Sequence, residues 1–123
     1  MQLKVKKISD AGIYEKERIV LEVTSNTQIG NYFVLKSKRT APGKISSIIS
    51  EVFWLPDREV KKDDLVVIYS KLGKSSTKVN ESGSTSYFFY LGKNLPVWNS
   101  KDDCALLLET ADWNATFVAP KKD

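Results

Sequence analysis

Short apolar runs with a period of two, broken at intervals of roughly 8–12 residues by turn signals, constrain this chain most, because no stretch sustains a long helical period. Leu3, Val5 and Lys7 alternate with Lys4, Lys6 and Ile8. That is a half-buried strand whose lysines discourage further pairing and so mark a sheet edge. In residues 18–24, Ile19, Leu21 and Val23 share one face, with Arg18 and Glu22 on the other. Residues 32–35 form a third run, rich in aromatic and β-branched side chains. Residues 45–54 admit a short helix with Ile45, Ile48, Ile49 and Val52 on one face. Their serines and β-branched residues favour a strand, above all over 50–54. Residues 65–69, LVVIY, are apolar on both faces, as expected of a strand inside a sandwich. Two strongly apolar strands follow within residues 87–108, joined by one corner. A last strand is expected at 113–118, where Trp113, Ala115 and Phe117 alternate with Asn114 and Thr116. About eight short, mostly antiparallel strands predict an all-β sandwich or barrel. Residues 1–123 make a single domain by size.

Between the strands, residues 36–44 (KSKRTAPGK) hold cations, no acid and a Pro-Gly turn signal, and read as a loop. Residues 71–86 are polar and rich in Gly, Ser and Thr, and read as a long mobile loop or a frayed hairpin.

Composition removes several functions. With no histidine, the commonest general base, every His-containing triad and every His metal site are gone. A single cysteine, Cys104, excludes an internal disulfide and thiolate zinc sites, and is expected as a buried, inert thiol. No residue is assigned a catalytic role, and no metal or cofactor is expected. No apolar run approaches the roughly 20 residues of a membrane helix, and residues 1–10 lack an apolar signal core. The expectation is a cytoplasmic protein. The sequons at Asn80 and Asn114 are then idle.

The corner PVWNSKDD joins Pro96, Trp98, Asn99, Asp102 and Asp103. Its Asn and Asp side chains can close turns against nearby N–H groups, and Trp98 can cap the core while its ring N–H finds a partner. The turn at Asp63 and Asp64 has the same character.

Three segments carry a family resemblance. The run VKKIS…ERIVLEVTSN…YFVL is similar to the opening "E-x-V-x-L-x-N" strands of lamin tail domains. VKKDDLVVIYSKLG resembles that family's "L-x-P-G-D/E" turn and the strand after it. VWNSKDDCALLLE resembles "W-N-N-x-G-D-x-A-x-L", with Trp98, Asn99, Asp103, Ala105 and Leu107 in step. Asp63 and Asp102 stand where the family has glycine, and aspartate is among the few residues that tolerate a positive backbone angle. The resemblance implies an immunoglobulin-like β-sandwich acting as a non-catalytic interaction module for proteins or nucleic acid.

The candidate binding residues are the cations Lys36, Lys38, Arg39 and Lys44, with Lys71, Lys74 and Lys78. If their loops share one end of the sandwich, they form a cationic rim, on which Tyr32 and Tyr87 could stack bases. A protein partner is the first expectation and DNA binding through residues 36–44 and 71–78 the alternative. Self-association is left open.

Overall fold

Two β-sheets face one another across an apolar core in the computed structural model, which describes residues 1–121. The first strands along the chain are β1 (Leu3–Ser9), β2 (Arg18–Val23), β3 (Thr27–Gln28) and β4 (Tyr32–Ala41). Next come β5 (Lys44–Ile45), β6 (Glu51–Trp54), β7 (Glu59–Val60) and β8 (Leu65–Tyr69). The last are β9 (Ser76–Val79), β10 (Thr85–Tyr90) and β11 (Asp103–Glu109).

The first sheet has the order β1-β2-β8-β10-β9, and only its β8–β10 pair is parallel. The second sheet runs β11-β4-β5, with β6 also paired to β4, all antiparallel. A small β3–β7 pair stands beside them. The fold is all-β, as the run pattern predicts.

Strand β1 lies at the sheet edge, as its lysines predict. Its register shifts between Val5 and Lys7, opposite Leu21 and Val20. The extra residue of this bulge lets Val5 and Ile8 both pack against the core, which strict alternation forbids.

The core joins Leu3, Ile19, Leu21, Val23, Val66, Ile68 and Phe89 of the first sheet to Tyr32 and Val34 of the second. Ile29, Leu55, Val60, Val97 and Trp98 fill the space from connecting segments. Each such large apolar side chain contributes about 1.5–3 kcal/mol by burial.

Several sequence expectations are overturned. Residues 36–41 are not a loop, because β4 continues to Ala41 and the chain reverses only at the Pro42-Gly43 turn. Its cations are tolerated because the strand leaves the core there, and Lys38, Arg39 and Thr40 are exposed. No strand forms at 113–118. The last rungs of β11 pair Glu109 with Tyr32 and Thr110 N with Asn31 O, and at Tyr32 the partner strand ends. Beyond that point Phe117 and Val118 are 91% and 97% exposed. Of the two readings open for residues 71–86, the hairpin is the one that forms: β9 pairs with β10, closed by Asn80 N donating to Ser84 O at 2.7 Å. The LVVIY strand is buried on both faces, yet among the described residues no third layer covers the outer one. Val67 is shielded laterally by its ladder neighbours Val20 and Phe88.

Candidate functional site

The Trp98 corner is an anchor between the sheets. Strands β10 and β11 belong to different sheets, so residues 91–102 cross the top of the core and Trp98 closes it at 2% exposure. The crossing is held by Glu17, which is fully buried. Glu17 Oε2 accepts from Val97 N at 2.7 Å, Oε1 accepts from Gly12 N at 3.0 Å, and both oxygens lie 3.3 Å from Trp98 N. Ser70 Oγ donates to the same carboxylate. The sequence reading missed Glu17. Its only signal is a carboxylate just before an apolar strand. The indole N–H of Trp98 was expected to find a partner and has none among the described residues.

Asp103 closes the corner. Its Oδ2 accepts from Asn99 N and Ser100 N at 3.0 Å each, while Lys36 and Lys38 approach its carboxylate at 3.7 and 3.5 Å. Burial alone would raise this carboxyl. The Ser100 N–H, the charges of Lys36 and Lys38 and the Asn99 N–H together outweigh it and hold the group below the usual carboxylate range. The second corner has the same construction. Asp64 Oδ2 accepts from Lys61 N at 2.9 Å and Oδ1 from Thr85 N at 2.9 Å, and Asp64 N donates to Lys61 O as Asp103 N donates to Ser100 O. Asp63 has φ +76°, the left-handed angle anticipated for a glycine replacement, whereas Asp102 does not share it. Both corners are turn architecture.

The expected cationic rim does not assemble. Lys36 and Lys38 are held by Asp103, and Lys36 Nζ also donates to Val97 O at 2.6 Å. Lys71 pairs with Glu15 at 3.5 Å and lies over the Tyr69 ring. Arg39, Lys44, Lys74 and Lys78 carry no ion pair among the described residues. Lys78 pairs with Ser86 at the start of β10, whereas Lys71 follows the end of β8. Since β8 and β10 are parallel, these lysines lie at opposite ends of the sheet.

The aromatic candidates also move. Tyr32 is fully buried in the core, its hydroxyl donating to Gln2 Oε1 at 2.8 Å, so it cannot stack on a base. Burial, with the charge of Glu109, pushes that hydroxyl above its usual range despite the Gln2 N–H bond. Tyr87 is half-buried under the Arg58 guanidinium, 5.1 Å from its ring centre. It lines an open polar cleft of about 690 Å³ with Asn26, Gln28, Glu59, Lys61 and Thr85. Cys104 is half-buried rather than buried, and its register against Ser37 sends it to the outer side of β11.

The outer faces of the two sheets differ. On the first, Tyr69 stacks on Tyr90 with centroids 5.5 Å apart, and Arg18 caps the Tyr69 ring at 5.8 Å. Gly73 lies against Tyr90 so closely that a Cβ there would meet the ring at 2.4 Å. Salt bridges pair Arg18 with Asp10 and Lys4 with Glu22. The aromatic rings of this face are packed against one another and capped by Arg18.

The second sheet's outer face has not. Ladder alternation places Phe33 and Leu35 of β4, Val52 and Trp54 of β6, and Leu106 and Leu108 of β11 there, beside Cys104. Phe33 stacks on Trp54 at 5.0 Å, and Trp113 stands edge-on to Trp54 at 5.1 Å. Val52, Trp54, Leu108 and Trp113 remain 60%, 44%, 50% and 59% exposed. No charged side chain interrupts the patch between Phe33 and Ser37. Neither models of known families nor curated proteins match the chain.

Proposed function

We propose that this chain is a non-catalytic interaction module of immunoglobulin-like, lamin-tail-like architecture, which binds protein through the outer face of β11, β4 and β6. The likeness is supported by the crossing segment, where Trp98 is buried at the corner and the Asp103 side chain closes the turn, and by the left-handed backbone of Asp63. The binding role rests on one observation. A contiguous apolar face including Val52, Trp54, Leu106, Leu108 and Trp113 lies open, while comparable groups on the opposite sheet are mutually covered. Exposed apolar patches of this kind mark interaction sites.

A photo-reactive residue at Leu106 should form discrete adducts with protein, and Leu108→Lys should abolish them. The same adducts from a photo-reactive residue at Lys78, or none from Leu106, would retire the reading.

A second reading is DNA contact through the β4–β5 hairpin. It is favoured by Arg39 and Lys44, which carry no ion pair among the described residues and line one shallow depression together. It requires affinity for a DNA duplex that falls steeply with salt and vanishes in Arg39→Glu, Lys44→Glu. Salt-insensitive or undetectable binding removes it.

A further inference from the structure

We infer that the partner covering this face is a second copy of the same chain, packed face to face with its strands reversed. The inference rests on the protein-binding reading of that face and adds the identity and orientation of the occupant.

The first argument is area. With full areas of roughly 150–250 Å² for the largest side chains, the exposed parts of Val52, Trp54, Leu108 and Trp113 amount to about 400 Å². The half-buried Phe33, Leu106 and Cys104 and the polar ends of the face bring it toward the roughly 800 Å² per partner of a stable interface. A charge-free centre is the composition of homodimer interfaces.

The second argument is charge. One end of the face carries Arg39 and Lys44, both exposed and without an ion pair among the described residues. The other end, roughly 20 Å away along β4 at about 3.3 Å per residue, carries the exposed Asp112. Asp112 adjoins Trp113, which packs edge-on against Trp54 of the face. A two-fold axis lying between the faces and perpendicular to the strands brings each cationic end over the partner's acidic end. A two-fold axis parallel to the strands would instead set Arg39 and Lys44 against their own copies. A face that is cationic at one end, acidic at the other and apolar between is complementary to itself reversed, which an isologous pair requires.

Sedimentation equilibrium of the full chain across a wide concentration range tests this. The wild type should pass from monomer to twice the monomer mass. Leu106→Lys should remain monomeric with an unchanged near-ultraviolet circular dichroism spectrum, since Leu106 points away from the core. Arg39→Glu with Lys44→Glu should weaken the dimer about tenfold or more, and adding Asp112→Lys should restore part of the loss. A wild type that stays monomeric at every concentration overturns the second copy as occupant. Adducts from Leu106 to a different protein would then still uphold the protein-binding reading, so the two failures are distinguishable. A dimer indifferent to Leu106→Lys overturns the assignment to this face. A charge reversal that Asp112→Lys does not relieve overturns the reversed arrangement.

Discussion

Glu17 is the position where a minimal change should cost most. Its carboxylate is fully buried and accepts from the N–H groups of Gly12, Val97 and Trp98 and from Ser70 Oγ. No cation pairs with it among the described residues, so these donors alone compensate its burial. In Glu17→Gln one oxygen becomes an amide NH₂. Either rotamer turns that donor toward another donor, Gly12 N–H or Val97 N–H. Leaving one buried N–H unmatched costs about 1–3 kcal/mol. Glu17→Ala orphans all three N–H groups and opens a gap beneath Trp98, for about 3–5 kcal/mol. A domain of this size has a total stability of about 5–15 kcal/mol, so the alanine variant stands near the limit of folding. Urea unfolding followed by tryptophan fluorescence reads this directly, since Trp98 is buried against the same corner. With a slope of about 1–3 kcal/mol per M, the glutamine variant should lower the midpoint by roughly 1 M. The exposed control Glu81→Gln should stay within about 0.5 kcal/mol of wild type. Ser70→Ala should cost less in the Glu17→Gln background than alone, because the partners share one network. A Glu17→Gln midpoint indistinguishable from that of Glu81→Gln would refute the assignment of Glu17 as the anchor of the crossing segment.

Other outcomes follow from the same geometry. Because the Asp103 carboxyl is held below its ordinary value of 3.8, its contribution is complete above that value and is lost as pH falls through the lower folded-state value. Acid titration of the urea midpoint should therefore fall more steeply below the ordinary value of 3.8 in wild type than in Asp103→Asn, and parallel curves would refute it. Lys36→Met should cost more stability than Lys38→Met, since the Lys36 side chain is 14% exposed and bonds Val97 O, whereas that of Lys38 is 59% exposed. Equal midpoints would refute that order. Gly73→Ala should destabilise by about 1–3 kcal/mol and change the near-ultraviolet dichroism of the Tyr69–Tyr90 stack, because its Cβ would meet the Tyr90 ring at 2.4 Å. A neutral effect would show that the ring moves freely.

Local pattern made much of the fold legible. Ile19, Leu21 and Val23 share the core face as their spacing requires, and the lysines of β1 mark an edge. The alternation of Trp113, Ala115 and Phe117 misled, because a strand also needs a free partner and β4 ends at Tyr32. The cations of residues 36–44 misled in the opposite direction. A strand that leaves the core tolerates charge on both faces, and only the tertiary pairing with Asp103 shows which lysines are committed. Glu17 was illegible for a related reason, since its donors lie up to 81 residues away. The exposed apolar face was hidden by the run pattern itself. Leu106 and Leu108 alternate with Leu107, so the sequence reads as one apolar strand without saying that one side has no cover.

Apolar side chains on the outside of a sandwich carry meaning only when they remain uncompensated, and the two sheets test that condition within one molecule. On the first sheet Val20 and Val67 are each 6% exposed, and the Arg18–Tyr69–Tyr90 stack ends against Gly73. That surface is closed by its own neighbours, so its aromatic content is no sign of a ligand. On the second sheet Phe33, Trp54 and Trp113 also contact one another, yet both indoles stay near half exposed and Val52 and Leu108 are bare. The same kinds of residue are sealed in one sheet and open in the other, and only the open side leaves contiguous apolar surface uncompensated.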